Sequence, residues 1–284
     1  MRTKVRFVMY ASENDALELF DVVHQKTKQK LGDMFHIEVF KDAPEYHALL
    51  QAIAEKGIHV SLVHEEPVFS EKERLESPIL RIIPNAYHGG YPQPENPPNY
   101  LDVSLDWTVC SCPNCTIGIK QKKPLRLKSG TKLGRSDISG IWWLRENFVI
   151  SKELKDKIEG SGLTGVEIWP IIKHGKNEEF SDIFQLKIVG SLPPMDPATD
   201  IRFKRESDIG IKTCPNGCGM RSMKGLVHYR EKDVKITPDF MLTTEWFGSY
   251  HSYWRAPCLS QRAYRFFKEW GVKGVRYVPV KIVK

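Results

Sequence analysis

The chain has 284 residues, of which 41% are hydrophobic and 27% are charged, and its formal net charge is +7 at pH 7. This length fits one large domain or two, and the composition is typical of a globular protein rather than a disordered one. No apolar run approaches the roughly 18 residues of a membrane span, and the N-terminus lacks the apolar core of a secretory signal. We therefore expect a cytoplasmic protein without a membrane partner.

The first 83 residues alternate between strand and helix patterns. Alternating apolar side chains predict strands over residues 4–10, 34–40 and 58–63. Ser12 is a suitable N-cap for a helix that runs to about Lys30, and Pro44 suits the first turn of a second helix. We expect a small N-terminal α/β domain over residues 1–83.

The composition changes after this domain. Residues 84–100 are rich in proline and glycine, which predicts a linker because neither residue sustains a helix or a central strand. The remaining residues, 101–284, are predicted to form a second domain. This domain contains two similar stretches, residues 101–174 and residues 207–283.

The two stretches carry the same features in the same order. Each begins with a cysteine turn, continues to an aspartate followed by an aromatic pair, and ends with a helix and a strand. The capping serines Ser151 and Ser260 each precede a glycine, Gly165 and Gly274, by fourteen residues. We interpret this as an internal duplication. The predicted fold is α+β, with a small N-terminal α/β layer and a duplicated β-rich, zinc-ribbon-like unit that has one helix per copy.

Four cysteines occur in two closely spaced pairs. Cys112 and Cys115 are separated by two residues, and Cys214 and Cys218 by three. Structural Zn²⁺ is bound by four thiolates in a tetrahedron, and ligands with these spacings share one ion. The sequence therefore predicts one structural zinc site formed by both pairs.

Other readings of the cysteines stay open. The turns could be reduced surface loops without a metal, a disulfide in an oxidising compartment, or a site for another metal or for redox chemistry. Cys110 is the substitute ligand if the first pair is displaced along the chain. Cys258 aligns with neither pair, which favours a buried core thiol.

The cysteine turns and the segments after them resemble the double-CXXCG-motif proteins, which are bacterial. The resemblance spans residues 101–281. It rests on Cys112, Cys115, Cys214, Cys218, Gly219, Ser260, Gly271, Gly274, Val275 and Pro279. Two departures stand out: Thr116 occupies the glycine position of the first motif, and the second turn has one additional residue.

Members of that family are regarded as immunity proteins of contact-dependent or polymorphic toxin systems. The resemblance therefore implies a non-catalytic cytoplasmic protein that binds and neutralises a cognate toxin. Aromatic residues anchor many protein interfaces. The aromatic run with polar neighbours near the end of the chain, Tyr250, Tyr253 and Trp254, is the predicted partner-binding surface.

Nucleic-acid binding is the alternative function. The segment after the first cysteine pair contains no acidic residue between Cys115 and Asp137. Its first basic side chains, Lys120, Lys122, Lys123, Arg126 and Lys128, are the candidate phosphate contacts. No aromatic residues alternate with them to stack on bases.

An enzyme is the weaker class, and no catalytic residue is predicted. The chain contains no nucleophile elbow, zinc-protease motif or phosphate-binding loop. His64 and Glu66 precede a cysteine turn, as in zinc deaminases, but those enzymes have proline before the first cysteine where this chain has Ser111.

Overall fold

The structure is a computed structural model of the chain. It describes residues 1–24, 34–88, 108–112, 114–141, 144–205, 214, 216–248 and 253–284. These residues form two compact units, Met1–Glu73 and Arg74–Lys284. The division precedes the predicted boundary at residue 83, because Ile79–Pro84 is a strand in a sheet of the second unit. Most of the predicted linker, residues 89–100, lies outside the described residues.

The first unit alternates strands and helices as the sequence predicts. Its elements are β1 (Arg2–Tyr10), α1 (Glu13–Val22), β2 (Met34–Phe40), α2 (Pro44–Glu55) and β3 (His59–Val68), and α3 (Glu71–Glu76) crosses the division between the units. Strand β1 lies between β2 and β3 and pairs antiparallel with both. Helix α1 is shorter than predicted: it ends at Val22, and residues 25–33 lie outside the described part of the chain.

Every second side chain of the central strand β1 contributes to the core of this unit. Val5, Phe7 and Met9 are buried in one cluster with Leu19 of α1 and Leu49 of α2. Side chains two residues apart in a strand share a face, so one face of β1 packs on both helices. At the start of α1 the hydroxyl of Ser12 accepts the amide of Asp15 at 3.2 Å, as expected for an N-cap.

Within the described residues, the second unit contains the same succession of ten elements twice, and we call each succession a repeat. The first repeat, residues 79–173, comprises β4 (Ile79–Pro84), β5 (Tyr87–His88), β6 (Thr108–Val109), β7 (Lys120–Gln121), β8 (Leu125–Leu127), β9 (Ile138–Ile141), β10 (Asn147–Ser151), α4 (Lys152–Glu159), β11 (Val166–Trp169) and β12 (Ile171–Lys173). The second repeat, residues 183–283, comprises β13 (Ile183–Ile188), β14 (Gly190–Ser191), β15 (Asp200–Lys204), β16 (Met220–Lys224), β17 (His228–Arg230), β18 (Phe240–Leu242), β19 (Pro257–Ser260), α5 (Gln261–Glu269), β20 (Val275–Pro279) and β21 (Lys281–Val283). The second repeat also has a short 3₁₀ turn at Glu231–Asp233. Both repeats begin earlier than the stretches predicted from the sequence.

The repeats exchange their first strands. One five-stranded sheet has the order β11-β13-β10-β9-β5, and the other has the order β20-β4-β19-β18-β14. Strand β13 of the second repeat therefore lies between β11 and β10 of the first. Strand β4 of the first repeat occupies the equivalent place between β20 and β19. Neither five-stranded sheet forms without a strand from the other repeat.

Both repeats contribute to the same central core. One cluster of buried side chains contains residues from both sheets and both helices, including Phe148, Leu154, Phe240 and Phe267. Helix α4 begins after Ser151 and helix α5 after Ser260, and in each case the serine hydroxyl accepts an amide of the first turn. These are the helices and caps that the sequence predicts.

A reciprocal contact joins the repeats near their helices. The carboxylate of Asp239 accepts the amide of Thr164 at 2.9 Å, and the carboxylate of Asp137 accepts the amide of Lys273 at 2.8 Å. Thr164 precedes Gly165 and Lys273 precedes Gly274. The aspartate of each repeat therefore binds the loop after the helix of the other repeat.

Within the described residues, no helix is both long enough and apolar enough to cross a membrane.

Candidate metal centre

Each cysteine pair lies in a tight turn that follows one short strand and precedes another. The first turn lies between β6 and β7, and the second between β15 and β16. The amides of Ser111 and Cys112 both donate to the carbonyl of Ile117, at 3.1 and 3.4 Å, which closes the first turn. Gly118 has a φ of +73° there, and an added Cβ would overlap the side chain of Ser111. Local geometry thus fixes where Cys112 and Cys115 point.

The backbone of the first turn also donates to its sulfur atoms. The amide of Asn114 hydrogen-bonds to Cys112, and the amide of Ile117 hydrogen-bonds to Cys115. Both donors lie two residues after the cysteine they contact. Donors directed at a thiol favour its ionised form, which is the form that binds metal.

The two turns bring four sulfur atoms together. The Sγ atoms of Cys112, Cys115, Cys214 and Cys218 all lie within 4.8 Å of one another, and those of Cys112 and Cys214 are 3.5 Å apart. All four cysteines are free rather than disulfide-bonded. A tetrahedral zinc site with Zn–S bonds of about 2.3 Å places its sulfur atoms about 3.8 Å apart. The geometry of this cysteine cluster therefore fits a single tetrahedral ion.

The asparagines of the two turns connect them directly. The side-chain amide of Asn216 donates to Cys112 Sγ at 3.3 Å, and the side-chain amide of Asn114 donates to the Oδ1 of Asn216 at 3.2 Å. Each asparagine lies two residues after the first cysteine of its turn. Hydrogen bonds donated to a metal-binding side chain orient that side chain and tune its affinity for the ion.

The protonation of the cluster reflects these contacts. Burial works to raise the pKa of Cys112, but hydrogen bonds from the Asn114 amide, from Cys115 and Cys214 and from Asn216 outweigh it and lower this pKa to about 7. Burial raises the pKa of Cys115 and of Cys218. Because thiolates this close repel one another, a cation among them is what would allow all of them to ionise.

Tyr253 joins the two cysteine turns from outside. Its backbone amide donates to Thr116 Oγ1 at 2.9 Å, and its hydroxyl donates to the carbonyl of Gly219. Thr116 follows Cys115 and Gly219 follows Cys218, so the two contacts occupy equivalent places. No sequence pattern indicates this role of Tyr253, although Thr116, which accepts its amide, is one of the two departures from the family motif.

The predicted partner-binding residues lie in different settings. Tyr250 is outside the described residues. Only 4% of Tyr253 is exposed, and its ring packs on the cysteine cluster. Trp254 is half-buried, with its ring centroid 5.5 Å from that of Phe247. Tyr253 therefore packs inside the protein, and the partner-binding role of these three residues stays a prediction.

The other two cysteines lie outside the cluster. Cys112, and not Cys110, belongs to the group of four converging sulfur atoms. Cys258 is fully buried in the core of the second repeat, and burial raises its pKa to about 12. A thiol held protonated in an apolar core is unreactive. This agrees with the structural role predicted for Cys258.

The basic segment, residues 120–135, lies on the surface. All of its cations, Lys120, Lys122, Lys123, Arg126, Lys128, Lys132 and Arg135, are exposed. In the part of the chain that the structure describes, none of them forms an ion pair with an acidic side chain. Leu125 and Leu127 are buried on either side of Arg126 and direct it outward. The segment is therefore a positive surface without internal neutralisation.

An ion bound by these four cysteines would be fully coordinated by the protein. Four thiolates saturate a tetrahedral ion and leave no position for a substrate, which distinguishes structural from catalytic zinc. Among the described residues the group contains four cysteines and no histidine or carboxylate. Comparisons with known protein families and with curated proteins find no match to this chain.

Proposed function

We propose that the cysteine cluster binds one structural Zn²⁺. The convergence of four buried or half-buried thiols from two turns, about a hundred residues apart along the chain, supports this. Sites of four sulfur ligands hold zinc or iron. The proposal is zinc, which needs no redox partner and is the usual ion of paired cysteine turns.

Metal analysis of the purified chain tests this proposal. We expect a single zinc ion per chain and, after exchange with Co²⁺, the absorption bands of a tetrahedral tetrathiolate. The Cys112→Ser variant should lose the ion, while Cys110→Ala, a neighbouring half-buried thiol outside the cluster, should retain it. Iron in the purified protein in place of zinc, or full zinc content in Cys112→Ser, would contradict the assignment of a zinc site to this cluster.

For the whole protein we propose a non-catalytic binding function in the cytoplasm. The metal joins the two repeats at one end and the exchanged strands join them elsewhere, which gives a preformed scaffold that loses little entropy on binding. The succession of ten elements found twice supports an internal duplication of a zinc-ribbon-like unit. Free thiols in pairs are typical of a reducing compartment.

The resemblance to double-CXXCG-motif proteins supports a cognate toxin as the partner. The family residues that the structure describes occupy the positions that frame the repeats: the four cysteines, the capping Ser260, and Gly274 against the first repeat. The toxin would be encoded beside this chain. Because Tyr253 is buried, exposed residues other than Tyr253 would contact the toxin.

Co-expression tests the toxin proposal. The product of the neighbouring gene should inhibit growth when expressed alone, and this chain should restore growth and co-purify with that product. The Cys214→Ser variant should lose protection, while Cys110→Ala should keep it. If the neighbour is harmless, or if protection occurs without a complex, the proposal fails.

Nucleic-acid binding is the second candidate, and the unpaired cations of the basic segment favour it. Electrophoretic mobility shifts with duplex and single-stranded probes at low and high salt would measure it. A triple variant, Lys122→Gln, Lys123→Gln and Arg126→Gln, should weaken binding. Lys152→Gln on α4, which is exposed but paired with Asp156, is the matched control. Absence of any shift at low salt would exclude this function.

A further inference from the structure

A cavity of about 360 Å³ lies where the two repeats meet, beside the cysteine cluster. Tyr253 lines this cavity and also packs on the cysteines. Counting back from the capping serines, Leu144 of the first repeat corresponds to Tyr253, and Glu146 corresponds to Arg255. All four of these residues line the cavity. Its volume falls within the range of about 300–1,000 Å³ found for small-molecule sites.

The one carboxylate of the lining is already neutralised. Glu146 accepts the backbone amide of Arg255 at 2.7 Å and its guanidinium at 3.0 Å. Both oxygens of Glu146 are engaged by this arginine. The carboxylate therefore holds the wall of the cavity in place and is not free to receive a cation from solution.

The remaining charged side chains of the lining are positive. Lys120 and Arg145 are exposed, and neither pairs with an acidic residue in the described parts of the chain. Lys187 lies 3.5 Å from Glu167 and stacks 3.6 Å from the centroid of the Trp169 ring. With Arg255 balanced by Glu146 and Lys187 by Glu167, two positive charges stay uncompensated at the cavity.

Most of the uncharged wall is apolar. Ile119, Leu144, Ile188 and Leu242 contribute aliphatic surface, and Tyr253 contributes an aromatic ring. The two amides of the lining bond to a buried glutamine outside it: Gln121 exchanges hydrogen bonds with Gln185, and Asn147 accepts one from Gln185. A ligand that fits must therefore combine an apolar body with a group that two cations can neutralise.

We propose that this cavity binds an organic phosphomonoester about the size of a nucleoside monophosphate. A phosphomonoester carries about −1.5 to −2 charges at pH 7, which matches the two uncompensated cations better than a carboxylate does. Arg145 and Lys120 bind the phosphate, and the aliphatic wall with Tyr253 contacts the body. This ligand is different from the metal and from the protein partner proposed above.

Titration calorimetry with the full, metal-loaded chain tests this site. The probes are AMP, adenosine as the neutral counterpart, and inorganic phosphate as the anion without a body. We expect AMP to bind and to be weakened at high salt, and adenosine and phosphate each to bind at least about tenfold more weakly. Equal affinity for AMP and adenosine, equal affinity for AMP and phosphate, or no binding of AMP would each overturn the proposal.

Substitutions locate the binding within the molecule. Arg145→Met and Lys120→Met should each weaken AMP at least about tenfold. Lys122→Met is the matched control, because Lys122 is an exposed cation of the same segment that does not line the cavity. Zinc content of each variant shows that the fold is intact. If Lys122→Met weakens AMP as much as Lys120→Met does, binding is to the general positive surface and the assignment is wrong.

Discussion

The two repeats have the same backbone frame but different interiors. In the sheet that contains β10, Gln185 of the exchanged strand β13 lies opposite Val149, and it is fully buried in an amide network with Gln121. The matching residue of the other exchanged strand, Arg81, lies opposite Cys258. Its guanidinium donates to the sulfur of Met223 at 3.5 Å, and burial lowers its pKa.

This difference shows what maintains the frame. Equivalent positions of the two exchanged strands hold a neutral amide in one sheet and a cation in the other. The strand order and the register are nevertheless the same in both sheets. The fold therefore does not depend on which type of polar side chain occupies this buried position of the exchanged strands. The contacts found in both repeats are the cysteine turns, the loops at Gly165 and Gly274 (the glycine loops), the aspartates Asp137 and Asp239, and the serine caps. These are the contacts that we expect to determine stability.

Removal of the proposed metal should have the largest effect on stability, because both repeats supply the cysteines that would bind it. Structural zinc contributes about 10–16 kcal/mol in small metal-binding domains, whereas a whole domain is stable by about 5–15 kcal/mol. We expect Cys214→Ser, or chelation of the wild type, to abolish cooperative thermal unfolding of the Arg74–Lys284 unit. Circular dichroism melting measures this, with Cys110→Ala as the control. Unchanged melting of Cys214→Ser would contradict a structural role for the metal.

Substitution of the glycine loops should give the next largest loss of stability, and the loss should be equal in both repeats. Gly165 and Gly274 have φ values of +80° and +109°, and a Cβ at either would lie closer than 3.0 Å to the carbonyl oxygen of Phe240 or Ile138. Each substitution to alanine combines backbone strain with a clash against the opposite repeat, so we expect a loss above about 3 kcal/mol.

Gly175 provides the control for this pair. It has a φ of +78°, but nothing lies within 4 Å of its added Cβ. Gly175→Ala should therefore show strain alone, about 1–2 kcal/mol. Urea unfolding of the three variants separates the two terms. If Gly165→Ala and Gly175→Ala lose the same stability, the close approach between the repeats contributes nothing.

Local features of this fold are predictable from the sequence. Alternating apolar residues indicated strands β1 and β2, and Ser12, Ser151 and Ser260 marked the helix starts, because caps and periodicity act over a few residues. The cysteine spacing likewise indicated the four residues that converge. Each of these signals lies within one turn or one strand.

The pairing between the repeats was not predictable. No strand was predicted over Ile79–Pro84, and nothing local in this segment indicates that it joins β19 and β20 of the second repeat. Tyr253 lies among polar residues and was predicted to be exposed. It is buried by contacts with Thr116 and Gly219, which are 137 and 34 residues away in the chain.

Substitution of the two aspartates should cost different amounts of stability in the two repeats. Asp239 is 5% exposed, and its carboxylate accepts the amide and hydroxyl of Thr164, the hydroxyl of Ser260 and the guanidinium of Arg262. Asp137 is less buried, and the donor that its carboxylate accepts is the amide of Lys273. We expect Asp239→Asn to lose about 2–3 kcal/mol and Asp137→Asn about 1 kcal/mol. Equal losses in urea unfolding would show that burial does not decide the difference.

Loss of the helix caps should destabilise the protein less than substitution of the glycine loops. The hydroxyl of Ser151 accepts the amide of Leu154 at 3.2 Å, and that of Ser260 accepts the amide of Ala263 at 3.1 Å. Loss of a serine cap costs about 1 kcal/mol. Ser260 also donates to Asp239 at 2.6 Å, so we expect Ser260→Ala to lose about 2 kcal/mol and Ser151→Ala about half as much.

A double-mutant cycle separates the cap of α5 from the contact with the aspartate. If Ser260 stabilises the second repeat partly through Asp239, the double variant Ser260→Ala, Asp239→Asn should lose less stability than the sum of the two single variants. The pair Ser151→Ala and Asp239→Asn shares no hydrogen bond and should be additive. Additivity in both pairs would mean that the hydroxyl acts only as a cap, and that the helix starts of the two repeats are energetically alike.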